Sequence, residues 1–222
     1  MFSSIQRLKN NGYTPSIIFD IGAHHGNWTN ECMQIYPNAA YHLFEGIDYR
    51  ELKRFDGLDN IDVYKAILDE IPRQVDWYEM RNTGDSFFKE KTHHFADCAP
   101  LKKNTQTLSY FAKNIPFDGE PVLIKIDTQG SEIPILKGLL HDDTGKHLLE
   151  RTDFIILEIP LFGQYNEGVP NFLEHIQFMD TIGFIPYDFV ESHVVSGFNI
   201  QVDMMFCNKT HAFNKTVQDR LM

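Results

Sequence analysis

"IIFDIGAHHGNW", Ile17 to Trp28, is the stretch that decides the fold. A run of β-branched and aromatic residues of strand length is broken by one aspartate, Asp20, and then gives way to glycines at 22 and 26. The run predicts a buried strand. Positions without a side chain just after a strand suit a backbone that turns tightly and passes close to another group. Beyond Gly26, "NWTNECMQIYP" sets Trp28, Cys32 and Ile35 at i, i+4 and i+7, one helical face halted before Pro37.

The same alternation continues outward. "AAYHLFE" predicts a strand ending at Glu45, "DYRELKRFDG" a helix with Gly57 beyond it, and "IDVYKAIL" a third strand. "QVDWYEM" reads as a fourth strand, paired antiparallel with a neighbour through the turn at "DEIPR". The segment 81–100 has no clean period and reads as loop, and a loop of that length in a compact domain is commonly functional. "PVLIKID" predicts a buried strand ending at Asp127, "EIPILKGLLH" a helix with Pro134 in its first turn, and "DFIILEI" another strand. "VPNFLEHIQFMDTIG" predicts a helix, and "FIPYDF" and "QVDMMFC" two last strands forming an antiparallel pair at one edge. Upstream, Ser3 or Ser4 caps a short helix that carries Ile5 and Leu8 and ends at Gly12. Strands and helices in alternation predict a mainly parallel sheet covered on both faces. We expect one domain over 1–222, with a helical extension over 1–14 and a tail over 210–222.

The 222 residues carry a net charge of −11, which disfavours a nucleic-acid partner. Cys32, Cys98 and Cys207 are scattered and odd in number, so neither a disulfide framework nor a zinc knuckle is indicated. No apolar run approaches the roughly 20 residues of a membrane span, and the N-terminus lacks the apolar core of a signal peptide. The expectation is a cytoplasmic protein with no membrane partner, in which the Asn-x-Thr matches at Asn27, Asn208 and Asn214 are chance. Oligomeric state is silent.

In an open α/β sheet, ligands bind outside the carboxyl ends of the strands. Asp20, Glu45, Asp127 and Glu158 end four strands here. Singly, each is an ordinary helix cap or solvated end; together with the glycines they indicate a site. "DIGAHHG" is not the dinucleotide pattern Gly-x-Gly-x-x-Gly. Glu45, 19 residues after Gly26, sits where nucleotide-binding folds place a carboxylate on ribose hydroxyls. A pyrophosphate wants bare helix N–H groups without a nearby carboxylate, and this loop begins with Asp20. The chemistry favours S-adenosylmethionine, which carries no phosphate, over NAD.

These segments resemble the FkbM family of S-adenosylmethionine-dependent methyltransferases, through "FDIGAHHGNW", "YHLFEGI", "TLSYF", "VLIKIDTQGSEIPILKG", "ILEIPLF", "FMDTIGFIPYD" and "QVDMMFCNK". The likeness spans about residues 15–210, and "KIDTQGSEIPILKG" is its most specific part. It implies a Rossmann-like, seven-stranded methyltransferase sheet, mainly parallel with an antiparallel edge strand and helices on both faces. It places Asp20, Gly22, Ala23 and Gly26 on the cofactor loop, Glu45 at the ribose, Ala66 and Ile67 beside adenine, and Ser86 in a loop near the cofactor. Asp127 falls near the methyl group and the substrate. The chain departs from the family at His24 and His25, where small or amide residues are common, and at Gln129, where glutamate is frequent.

The resemblance implies methyl transfer, most often to a hydroxyl, here of a sugar, glycan or other polyhydroxylated small molecule. The first expected base is Asp127, then Glu158; Glu132 reads as an orienting or helix-starting carboxylate. Loop histidines such as His93 and His94 are ordinarily solvated; His193 has a stronger claim because late loops of this fold cover the substrate. Asp127, Glu158 and a histidine are conceivable metal ligands, but nothing in the spacing demands a metal. Two other readings remain: a catalytically silent binding or scaffold domain, and a dinucleotide-dependent oxidoreductase, disfavoured by the missing fingerprint.

Overall fold

The structure is a computed structural model that describes residues 1–161, 166–213 and 219. The elements in chain order are α1 (Phe2–Asn10), β1 (Ile17–Ile21), α2 (Asn27–Ile35), β2 (Ala40–Glu45), β3 (Ile61–Lys65), β4 (Ile67–Leu68), β5 (Gln74–Trp77) and β6 (Leu101–Gln106). Then come α3 (Leu108–Ala112), β7 (Val122–Ile126), α4 (Glu132–Leu139), α5 (Asp143–Arg151), β8 (Thr152–Pro160), α6 (Phe172–Thr181), β9 (Phe184–Val195) and β10 (Phe198–Asn208).

Seven strands form the main sheet in the order β3-β2-β1-β7-β8-β10-β9. All pairings from β3 to β8 are parallel, while β10 runs antiparallel to both β8 and β9. The expected antiparallel pair is therefore present, with β9 outermost. Every residue of β1 and of β7 is buried, as strands covered on both faces must be. Ile18, Leu123 and Phe154 belong to one apolar layer, and Phe19, Ile124 and Ile155 to the other. The strand order reverses between β1 and β7, so the strand ends there flank the crevice where such sheets take ligands.

Several elements differ from expectation. The third strand is split: β3 stays in the main sheet, and β4 joins a three-stranded sheet in the order β4-β6-β5. The partner of β5 is β6, not a neighbour across "DEIPR". β6, α3 and α5 have no counterpart among the elements expected from the sequence. Residues 50–55 form a 3-10 helix in place of an α-helix. β9 and β10 are longer than expected and close on a hairpin at Ser196 and Gly197, both with positive φ. The segment 81–100 is largely loop, as expected, with one short turn at His93–Phe95 that plants Phe95 in the interior. Of the expected loop over 161–169, residues 162–165 lie outside the described residues, as do 214–218 and 220–222 of the expected tail. No helix among the described residues is long and apolar enough to cross a membrane.

Candidate active site

A cavity of about 340 Å³ opens at the carboxyl ends of β1, β2 and β7, between them and the β9–β10 hairpin. Its floor is the loop after β1. Gly22 has φ +76, and a β-carbon there would lie 1.8 Å from the carbonyl oxygen of Asp127. Only glycine lets the loops after β1 and β7 meet this closely. The N–H groups of Gly22 and Ala23 both donate to the Phe44 carbonyl, at 2.9 and 3.0 Å, tying the loop to the end of β2. His24 also has positive φ, and its N–H donates to Glu45 Oε2 at 2.7 Å. The N–H of Ile47 donates to the other oxygen, Oε1, at 2.9 Å. Glu45 is thus fixed at both oxygens, each with a lone pair to spare, on the cavity wall. Burial raises its pKa, against the pull of those backbone N–H groups.

Gly26 has a different task. A β-carbon there would fall 2.4 Å from the Phe55 ring, so this glycine serves packing of the helix start and lies away from the cavity. Asp20 is also away from it. Fully buried, its carboxylate accepts from Thr29 Oγ1 at 2.6 Å and from Lys125 Nζ at 3.1 Å. Asp20 and Lys125 are register partners across β1 and β7. The structure places Asp20 behind the cavity, and the residue that stands between it and the cavity wall is Lys125. Lys125 also donates to the Gly22 carbonyl at 3.3 Å and lies 3.4 Å from Asp127 Oδ2. Burial lowers its pKa, but Asp20 and Asp127 more than offset this and hold it above the ordinary lysine value. It is a permanent cation beneath the loop.

Ala66 and Ile67 line the cavity beside Trp77 and Gly46, a flat apolar wall at the expected adenine end. Ser86 does not line it. Its hydroxyl donates to the Gln129 carbonyl at 3.1 Å and accepts from the Phe88 N–H at 3.0 Å, which fastens the long loop to the loop after β7. The cavity residues from that long loop are Asn82, Thr83 and Asp85. His93 and His94 pack against one another with their rings tilted by 39°, outside the cavity wall.

At the opposite end stand Asp127 and His193. Asp127 pairs with Lys125 through Oδ2 and lies 3.5 Å from Gln129 Nε2 through Oδ1, and its side chain is 35% exposed, enough to meet a bound molecule. His193 Nε2 is paired with Asp203 Oδ2 at 3.1 Å. That hydrogen bond is the main reason the His193 pKa is raised. Glu158 is buried behind them, its Oε2 accepting from Gln129 Nε2 at 2.6 Å. It faces a separate cavity of about 10 Å³ shared with Glu132 and His175, so it does not reach the main cavity as a base must. Glu132 Oε1 accepts from the N–H groups of Thr128 and Gly130, within the loop after β7.

Lys125 and Asp203 were missed, although each is the lone charge in an apolar strand, "VLIKI" and "QVDMMFC". Among the described residues, six carboxylates, Glu31, Glu45, Asp85, Asp127, Glu191 and Asp203, line the main cavity against a single lysine and no arginine. Such a wall repels a pyrophosphate and favours a cationic guest.

Comparison with known proteins places the chain in one family. A family model described as the methyltransferase FkbM domain matches residues 20–186. The chain belongs to the FkbM methyltransferase family. No curated protein matches it. Among solved structures, methyltransferase FkbM from Methylobacillus flagellatus KT has a TM-score of 0.51 at 13% identity, over 86% of this chain and 43% of that one. The chain thus spans less than half of that protein, and at such identity the likeness shows the fold alone. A 1,6-didemethyltoxoflavin-N1-methyltransferase of Burkholderia thailandensis, solved with S-adenosylhomocysteine, matches at TM-score 0.49 and 10% identity, over 93% of this chain and 76% of that one.

Proposed function

We propose that this chain binds S-adenosylmethionine in the main cavity and transfers its methyl group to a hydroxyl of a sugar, glycan or other polyhydroxylated small molecule. The observation that carries the reading is Glu45: a carboxylate anchored by two backbone N–H groups at the end of β2, with lone pairs left for a vicinal diol. The fit extends to both ends of the cavity. Ile67 and Trp77 give an apolar slot for a purine, and the carboxylate-rich wall suits a sulfonium. Family membership supports the same reaction class.

Bound there, the cofactor supplies a methyl group already activated by its positive sulfur. What remains for the chain is alignment and a proton acceptor. Lys125 holds Asp20, the Gly22 carbonyl and Asp127 in one buried cluster, which fixes the loop against the end of β7. Asp127 is the part-exposed carboxylate at the acceptor end, where it would accept the proton of an acceptor hydroxyl. His193 and Asp203 form the wall beside it.

The test is calorimetric titration of the chain with S-adenosylmethionine and with NAD, followed by transfer assays with labelled methyl on a panel of sugars. Saturable binding of the former alone is expected. Asp127→Asn is expected to keep cofactor affinity within about two-fold while losing about 10²–10⁴ of the transfer rate. A variant that transfers at the parent rate overturns the assignment of Asp127.

A further inference from the structure

Glu158, His193 and Asp203 come from three strands that are neighbours only at the antiparallel end of the sheet. Asp203 is the direct register partner of Glu158 across β10 and β8, and His193 reaches it from β9. One ligand-type atom from each lies within 4.8 Å of the other two. Ligands that share one ion at about 2.0–2.2 Å stand roughly 3–4.4 Å apart, so small side-chain adjustments close the set on an ion. Glu158 and Asp203 are 8% and 3% exposed. Glu158 Oε1 and Asp203 Oδ1 take no hydrogen bond from the described residues, while Oε2 and Oδ2 are held by Gln129 and His193.

A second observation is the charge around them. Glu158 and Asp203 are direct register partners, and the nearby Lys125 makes its ion pairs with Asp20 and Asp127. Buried charges are ordinarily paired or coordinate metals.

We propose that Glu158, His193 and Asp203 bind a divalent first-row transition-metal ion at the acceptor end of the cavity. The donor set, two carboxylates and one imidazole, suits Mn²⁺, Fe²⁺, Co²⁺ or Zn²⁺ better than Mg²⁺ or Ca²⁺, which prefer oxygen alone. The ion replaces the proton that His193 and Asp203 share. Asp203 and His193 line the cavity and Glu158 closes the inner side, so the open coordination positions face the substrate space. Taken with the methyl-transfer reading, on which this role rests, an acceptor hydroxyl on the ion is oriented and made more acidic, and its proton still passes to Asp127.

Mn²⁺ titration of the chelator-treated, dialysed full chain, followed by the electron paramagnetic resonance signal of free Mn²⁺, tests the site without any turnover. One saturable Mn²⁺ per chain is expected, displaced by Zn²⁺ or Co²⁺ and poorly by Mg²⁺. Asp203→Asn and His193→Gln are each expected to weaken it at least ten-fold while the thermal transition stays cooperative. His193 is partly exposed, so its variant keeps the test sound even where the buried substitution unfolds the chain. Absence of saturable Mn²⁺ binding overturns the site, as does binding unchanged in the folded His193→Gln chain. Calorimetry with S-adenosylmethionine on the same samples separates the two readings. Cofactor binding without Mn²⁺ removes the metal alone, and Mn²⁺ binding without cofactor removes the methyl-transfer role while the metal site stands.

Discussion

Replacing Glu45 by alanine isolates the cofactor reading from the rest of the fold. In the parent chain the two carboxylate oxygens accept the His24 and Ile47 N–H groups at 2.7 and 2.9 Å. A bound ribose adds two hydroxyl donors to the same oxygens, and hydrogen bonds to a charged group contribute about 1.5–3 kcal/mol each. Losing both costs roughly 3–6 kcal/mol, or at least about 100-fold in affinity. The truncation also frees the His24 and Ile47 N–H groups, which a ligand or water then satisfies in part, so the lower end of that range is the safer expectation. Glu45→Gln, which keeps the shape and one acceptor oxygen, is expected to fall between the parent and alanine. The assay is calorimetric titration with S-adenosylmethionine and with S-adenosylhomocysteine, which share the ribose and differ at sulfur. Equal losses for both ligands place the defect at the ribose; a loss for the sulfonium alone marks a charge effect instead. If the alanine chain melts cooperatively and binds both ligands within two-fold of the parent, Glu45 is not the ribose carboxylate and the reasoning from the end of β2 fails.

Two further outcomes follow from the same geometry. Gly22→Ala forces a β-carbon onto the Asp127 carbonyl from a backbone at φ +76, so we expect a loss of more than about 2 kcal/mol in urea unfolding together with loss of cofactor binding; an unchanged midpoint contradicts the close approach. Glu158→Gln tests the buried carboxyl by its pH dependence. Its folded pKa lies above the ordinary 4.5, so the carboxyl stabilises the fold below that pH and its contribution is lost as pH rises through the folded value. With chelator present, the glutamine chain is expected to gain stability over the parent at pH 8, and the gain to shrink toward pH 4.5. A variant less stable than the parent at pH 8 refutes the raised pKa.

The central strands were legible because burial on both faces leaves a continuous apolar run, as in β1 and β7. What was hidden lacks that signature. In β6, "LKKNTQ", only Thr105 is buried, so its apolar pattern is nearly empty and its pairing in the smaller sheet depends on β4 and β5. Gly145 in the first turn of α5 masks a helix whose start is fixed by Asp142, which accepts the Gly145 N–H, and by close packing against Leu139. The outer halves of β9 and β10 lie on a mostly exposed hairpin, where burial imposes no continuous apolar run.

The candidate site divides in the same way. Strand-end carboxylates were recognisable, but their roles depend on register, which a sequence does not print. Asp20 and Glu45 both end strands beside the same loop. Asp20 lies opposite Lys125 and is consumed by it, whereas Glu45 lies opposite Lys65, turns instead to the N–H groups of the loop, and keeps acceptor capacity for a ligand. Glu158 lies opposite Asp203, and this like-charged pairing separates it from a simple base. Two carboxylates placed face to face in an interior cost stability unless a proton or a cation lies between them. With His193 as the third neighbour and Lys125 paired to Asp20 and Asp127, strand register sets this cluster's charge, and the metal titration asks whether an ion joins it.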